Sequence, residues 1–192
     1  MKEQLAEALI ELMRKISLEK ITVKDIVDKA GVSRQTFYYY FHDIYEVIEW
    51  YFTDLAEKMI GKYSFSDEWI DGYKYILNWA RENKAVLMNI YYAVHRETIE
   101  FYLNRTLYEY VLNVVMNKGE NMAVTSKQKE RIANFYTMSL NAITLEWMRT
   151  NMKEDPDCLA WEIYILIKED CERALRNFEV FNKVGMKDKK KL

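Results

Sequence analysis

A single proline and five glycines are all that punctuate the 192 residues of this chain. With so few breakers, long uninterrupted helices are the natural outcome. Strand-type alternation between turn clusters is missing too. No apolar run approaches the roughly 18 residues of a spanning helix. The opening MKEQLAEALIELM has no signal-peptide core, so a soluble, cytoplasmic protein is expected. Cysteine is scarce: Cys158 and Cys171 stand 13 residues apart on one expected helix. At about 1.5 Å per residue they lie some ~20 Å apart, too far to pair, and they read as reduced thiols. The only histidines are His42 and His95. Neither has a neighbour at metal-ligand spacing, so no metal is expected. Glycine-rich phosphate loops and a GxSxG elbow are also absent. The many carboxylates fall on helix surfaces. No catalytic residue and no cofactor are expected.

What is present is apolar, aromatic and locally basic. Half of the residues are hydrophobic and 15% are aromatic, which marks a globular chain. The net charge of −2 does not advertise a nucleic-acid binder. Between Lys20 and His42 the balance differs: Lys20, Lys24, Lys29 and Arg34 oppose only Asp25 and Asp28. A dimer would present that basic footprint twice.

The segment Ile21 to Phe41, ITVKDIVDKAGVSRQTFYYYF, is the most informative. Thr22 and Asp25 have capping-box spacing and open a short helix. Ile26, Val27 and Ala30 make its buried stripe. Gly31 ends it where a left-handed conformation is cheapest. Val32 plugs the corner, and Ser33 caps a second helix. Helix, glycine turn and helix form the helix-turn-helix pattern. In DNA-binding versions the second helix enters the major groove.

On that second helix Phe37 and Phe41 share one face. Tyr38, Tyr39 and Tyr40 cannot all follow them, because successive residues turn by about 100°. Arg34 sits in the first turn, where the helix dipole disfavours a cation. A phosphate or guanine edge would explain it, and Gln35 and Thr36 could reach adenine or a thymine methyl. Two readings stay open from the residues alone: a DNA-reading helix, or a small helical corner with an aromatic core.

The same residues resemble the DNA-binding domain of the TetR family of bacterial transcription regulators, over about Leu5 to Phe52. The resemblance is carried by Ile21-Thr22-Val23-Lys24-Asp25-Ile26, by Gly31-Val32-Ser33 and by Thr36-Phe37-Tyr38-Tyr39-Tyr40-Phe41. The run RQTFYYYFHDIYEVIEW is similar to regulators of dihydroxyacetone kinase operons. One departure is Ile44, which stands where the family commonly has a phosphate-binding lysine; His42 or Tyr45 would have to replace it. The resemblance implies an all-α, nine-helix architecture with a three-helix helix-turn-helix domain and a helical ligand and dimerisation domain. It implies a homodimer on a palindromic operator in double-stranded DNA, and an unidentified small-molecule effector or partner protein. Expected DNA-binding residues are Thr22, Lys24, Ser33, Arg34, Gln35, Thr36, Tyr38, Tyr39, Tyr40 and His42. Arg34, Gln35, Thr36 and Tyr39 would face the groove; Lys24, Tyr38 and Tyr40 would meet phosphates.

Stripes mark the other helices. Leu5, Leu9, Leu12 and Ile16 belong to the first, and Val47, Ile48, Tyr51, Phe52, Leu55 and Met59 to the fourth, which Asp43 caps. The expected division is residues 1–45 for DNA binding, 46–180 for regulation and dimerisation, and 181–192 as a basic tail. Helix four, from about 44 to 60, connects the two domains, with the boundary expected within 61–66 and a bend before Trp69. Helices five to seven carry an aromatic excess: one residue in four between Tyr63 and Tyr110 is aromatic. Trp69, Tyr73, Trp79, Tyr91, Tyr92, His95 and Tyr102 are the expected ring of a ligand pocket, with Asn78 and Asn89 as further polar groups. Plain core packing is the alternative. Ser126 would cap helix eight, and Pro156 would open the ninth and last. Ile143, Trp147, Leu166 and Ala174 are the expected dimer positions on this final hairpin. A helical small-molecule-binding protein or a protein-interaction module without a DNA role remains the rival class.

Overall fold

A computed structural model describes residues 1–63 and 69–184, without the side chains of 56 and 59–63. Among the described residues every regular element is helical. The first helix, α1 (Lys2–Met13), leads through a single 3₁₀ turn (Leu18–Lys20) to α2 (Val23–Ala30) and α3 (Arg34–Tyr40). Then come α4 (Ile44–Tyr63), α5 (Trp69–Glu82), α6 (Lys84–Ala93), α7 (Arg96–Lys118) and α8 (Ser126–Arg149). The expected ninth helix is interrupted. It forms α9 (Pro156–Ile167) and α10 (Asp170–Val184). Lys168 between them keeps right-handed helical dihedrals.

Two apolar cores form. The first gathers Leu5, Leu9 and Met13 of α1 with Ile26, Val27, Phe37, Phe41, Val47 and Ile48. It also takes Val86 and Ile90 from α6 and Tyr102 from α7, so the N-terminal helices do not close their core alone. The second core is built by α5, α7, α8 and α9, with Tyr73, Leu77, Leu107, Ala133, Leu140 and Ala160 among its buried members. Arg105 bonds Glu49 at 2.6 Å, tying α7 to α4.

Several boundaries differ from the sequence reading for identifiable reasons. Helix α1 stops at Met13, and Ile16 lies in the exposed turn beyond it. Thr125, not Ser126, caps α8, in a reciprocal box with Gln128. Pro156 does open α9 as expected, with Asp155 as its cap. The boundary expected within 61–66 falls partly on α4, which runs on to Tyr63; its remainder, the bend expected before Trp69 and residues 185–192 of the tail lie outside the described residues. Residues 181–184 continue α10 as helix. The α8–α9 corner places Asn151 and Met152 at φ 60° and 50°. Lys84 Nζ donates to the Asn151 carbonyl at 2.7 Å, and Arg81 donates to that of Met152. The corner is thereby fastened to the α5–α6 junction.

Candidate nucleic-acid interface

The helix-turn-helix is built by local hydrogen bonds. Asp25 Oδ2 accepts from the Thr22 backbone N–H at 2.8 Å and from its hydroxyl at 2.6 Å. The Asp25 N–H donates back to Thr22 Oγ1. These bonds from Thr22 hold the Asp25 carboxyl below the usual carboxylate range. Gly31 takes φ 68° and ends α2, a left-handed geometry that only glycine adopts freely. Ser33 Oγ accepts from the Thr36 N–H at 3.1 Å and pairs with the Thr36 hydroxyl at 2.9 Å. Thr22 and Ser33, both expected at the DNA, therefore serve first as caps.

The faces of α3 are sharply divided. Phe37 and Phe41 are buried in the first core. Tyr38 and Tyr39 are 57% and 80% exposed. Tyr40 is half-buried, its ring edge-on to Tyr39 at 4.8 Å. Arg34, Gln35, Lys24 and His42 are exposed and Thr36 is half-buried. No acidic residue occupies the first turn of α3, and among the described residues no ion pair forms to Lys24 or Arg34. Lys29, by contrast, is paired with Glu11 at 2.5 Å. At the start of α4, Asp43 Oδ1 accepts from the Glu46 N–H at 2.9 Å, and Glu46 accepts from the His42 N–H at 2.6 Å. Tyr45 is exposed beside them. Lys2 brings a further cation, its ammonium 5.5 Å from the centre of the Phe41 ring.

An apolar cavity of about 60 Å³ lies where α4 to α8 meet. Phe52, Trp79, Leu87, Tyr91, Tyr102 and Leu103 are among its walls. That is room for more than one water, since a single water needs only about 10–15 Å³. Its threonine hydroxyls are internally committed: Thr106 donates to the Tyr102 carbonyl at 2.9 Å and Thr144 to that of Leu140 at 2.8 Å. Of the expected ring, Trp79, Tyr91 and Tyr102 line the cavity. Tyr73 does not. It is fully buried core, its hydroxyl 3.0 Å from Thr144 Oγ1. Trp69 borders a separate recess of about 30 Å³ with Tyr110 and Cys171. Tyr92 and His95 are exposed at the surface. Asn78 bonds Lys74 and Asp157, and Asn89 bonds the end of α1, so neither serves the cavity.

Both α8 and α9 carry exposed apolar side chains. Phe135 and Met138 on α8 and Ile165 and Leu166 on α9 are each more than half exposed, as is Trp161. Of the expected dimer positions only Leu166 is exposed. Trp147 is core, its indole N–H donating to the Glu154 carbonyl at 3.0 Å. Ile143 and Ala174 are half-buried against the second core.

The first 49 residues match the family model for bacterial regulatory proteins of the tetR family, from residue 2. Residues 67–169, more than half of the chain, match the model for a transcriptional regulator C-terminal region of the TetR type. The chain belongs to the TetR family of transcriptional regulators. It is similar to the DhaS group of regulators. One relative is the HTH-type dhaKLM operon transcriptional activator DhaS of Lactococcus lactis, 26% identical over 74% of this chain and 76% of that protein. Another is the uncharacterized HTH-type regulator YxbF of Bacillus subtilis, 24% identical over 86% of this chain but only 44% of its own length. The chain thus spans less than half of that relative. Among solved structures, the dihydroxyacetone kinase operon activator DhaS superposes with a TM-score of 0.70 at 22% identity, covering 93% of this chain and 97% of that one. That likeness speaks for the fold.

Sequence reading missed several residues of this TetR-family regulator. Phe52 and Leu55 on α4 and Ile99, Leu103 and Thr106 on α7 line the cavity. Their i, i+3 and i, i+4 spacings signal a shared face, but nothing in the sequence separates a cavity wall from solid core. Lys2 near α3 carried no sequence signal, because the contact is tertiary.

Proposed function

We propose that this regulator binds a palindromic operator as a homodimer, one α3 in each of two successive major grooves about 34 Å apart. Arg34, Gln35, Thr36 and Tyr39 meet base edges; Lys24, Tyr38, Tyr40 and His42 meet phosphates, with Tyr45 and Lys2 flanking. The observation that carries this reading is the outer face of α3, where two tyrosine rings and an arginine face water with no part in the core. The apolar face of α8 and α9 is the dimer seam, making a four-helix contact across a two-fold axis. Residues near 1–45 form the DNA-binding unit and α4 connects it to the remainder, although α6 completes its core. An apolar effector that widened the cavity beyond its volume of about 60 Å³ would bias one conformation, with a coupling of about 1–3 kcal/mol. No catalytic step is part of this role, and its place is the cytoplasm, where the DNA is. Among the described residues no helix is long and apolar enough to cross a membrane.

The test begins with selection of duplexes by the protein from a random pool, followed by fluorescence anisotropy across a salt series and sedimentation. The expected result is a two-fold symmetric site with half-sites one turn apart, and log affinity falling linearly with log salt. Failure to enrich any sequence would overturn the specific-binding reading. A monomer at micromolar concentration would overturn the dimer.

A further inference from the structure

The side chain of Asn89 makes three hydrogen bonds, all to backbone groups of the DNA-binding unit. Its Nδ2 donates to the Met13 carbonyl at 2.8 Å and to the Ile16 carbonyl at 2.6 Å. Its Oδ1 accepts from the Leu18 N–H at 2.8 Å. Met13 ends α1 and Leu18 opens the 3₁₀ turn. Helix ends leave such carbonyls and N–H groups without partners inside the helix. One amide on α6 therefore completes the corner from which the chain proceeds into α2 and α3. The requirement is chemically narrow, because a single short group must supply two donors and one acceptor. Nearby, Arg14 Nη2 reaches Asn83 Oδ1 at 3.2 Å, an exposed and weaker tether.

Helix α6 also faces the other way. Leu87, Ile90 and Tyr91 line the cavity, while Val86 and Ile90 enter the N-terminal core. A displacement of α6 imposed at the cavity would reach the α1 corner through Asn89 as well as through the packing of Val86 and Ile90. We propose that Asn89 is a positioning residue for DNA recognition: its amide fixes the α1 corner to α6 and so sets how α3 is presented to the groove. The inference rests on the DNA-binding role and extends it to a named coupling residue.

The experiment compares the full-length protein with Asn89→Ala and Asn89→Asp. The aspartate keeps the acceptor for Leu18 but sets a carboxylate against two carbonyls. Circular dichroism fixes a temperature at which each protein is folded. Anisotropy then gives affinities for the duplex selected by the wild type and for a random duplex, and hydrogen exchange reports the Leu18 amide. The expected result is a loss of about tenfold on the selected duplex, little change on the random one, and faster exchange at Leu18. A folded variant with unchanged preference for the selected duplex overturns the proposal, even if its melting temperature falls, because a merely structural bond would do only that. Ala80→Leu, which grows into the cavity from α5, provides a second arm. Its effect on operator affinity should shrink several-fold in the Asn89→Ala background, and an equal effect in both backgrounds overturns the coupling. A wild type that shows no preference for any duplex would defeat the DNA-binding role itself, a separate outcome.

Discussion

Gly72→Ala sets two effects of opposite sign against each other at the α5–α7 contact. Alanine in a helix interior is favoured over glycine by about 1 kcal/mol, and Gly72 lies inside α5. Packing opposes the gain. A β-carbon at position 72 would stand 2.3 Å from Cζ and Oη of Tyr110 and 2.7 Å from Cε2. Ordinary contact needs about 3.4 Å or more, so the ring must retreat by about 1 Å. Tyr110 is only 3% exposed and donates to the Trp69 carbonyl at 2.7 Å. Overpacking of this kind costs about 1–3 kcal/mol, and a disrupted buried hydrogen bond adds about 1 kcal/mol or more. Sterics win: the expected net destabilisation is about 2 kcal/mol, or a melting temperature lower by about 4–8 °C for a chain of this size. Urea denaturation at fixed protomer concentration measures it, since association would otherwise shift the midpoint. Tyr110→Leu shortens the opposing side chain, so Gly72→Ala should cost far less in that background. A stabilised Gly72→Ala protein would refute the close approach and with it the packing of α5 on α7.

Three further outcomes are expected. Tyr39→Ala leaves the melting temperature within about 1 °C, because the residue is exposed, but costs about 1–3 kcal/mol on the selected operator and much less on random DNA; equal losses in anisotropy would reassign the ring to backbone contact. Leu166→Glu places a charge in the proposed seam and should give helical monomers by sedimentation, whereas Ala174→Glu should unfold the protomer because Ala174 packs on the second core. Burial pushes the Cys171 thiol up to about 11 and the Tyr73 and Tyr136 hydroxyls up to about 12. Each raised value favours the neutral form in the folded state, so this stability is complete below about pH 9, where the unfolded thiol begins to ionise, and is lost as pH rises towards 11–12. Denaturation between pH 8 and 11 should show a decline that Cys171→Val makes shallower; an unchanged profile would contradict the burial.

Local signals were the readable ones. Thr22 with Asp25, Gly31, and Ser33 with Thr36 act over three or four residues, so their spacing alone placed α2 and α3 correctly. The split between Phe37 and Phe41 inside and Tyr38 and Tyr39 outside follows from helical periodicity. The pocket and the dimer seam depend on which of several apolar stripes faces which neighbour. Tyr73 and Trp147 look in sequence like Trp79 and Leu166. Only the tertiary arrangement sends the first two into the core and leaves Trp79 at the cavity and Leu166 in water. Asn89 was assigned to the cavity for the same reason: its helix is bifacial, and sequence does not say which face points where.

The N-terminal core borrows Val86, Ile90 and Tyr102 from beyond α4, which limits how this family can exchange parts. A reading head cut after α4 would lose those three side chains and the amide that seals the end of α1. Transplanted onto another member's body, it would meet an α6 shaped for a different corner. Chimeras made by joining at the α4 boundary should therefore fail more often than chimeras in which α6 travels with the head. A substitution on α6 should then be felt in the N-terminal core as well as at the cavity, since Ile90 belongs to both.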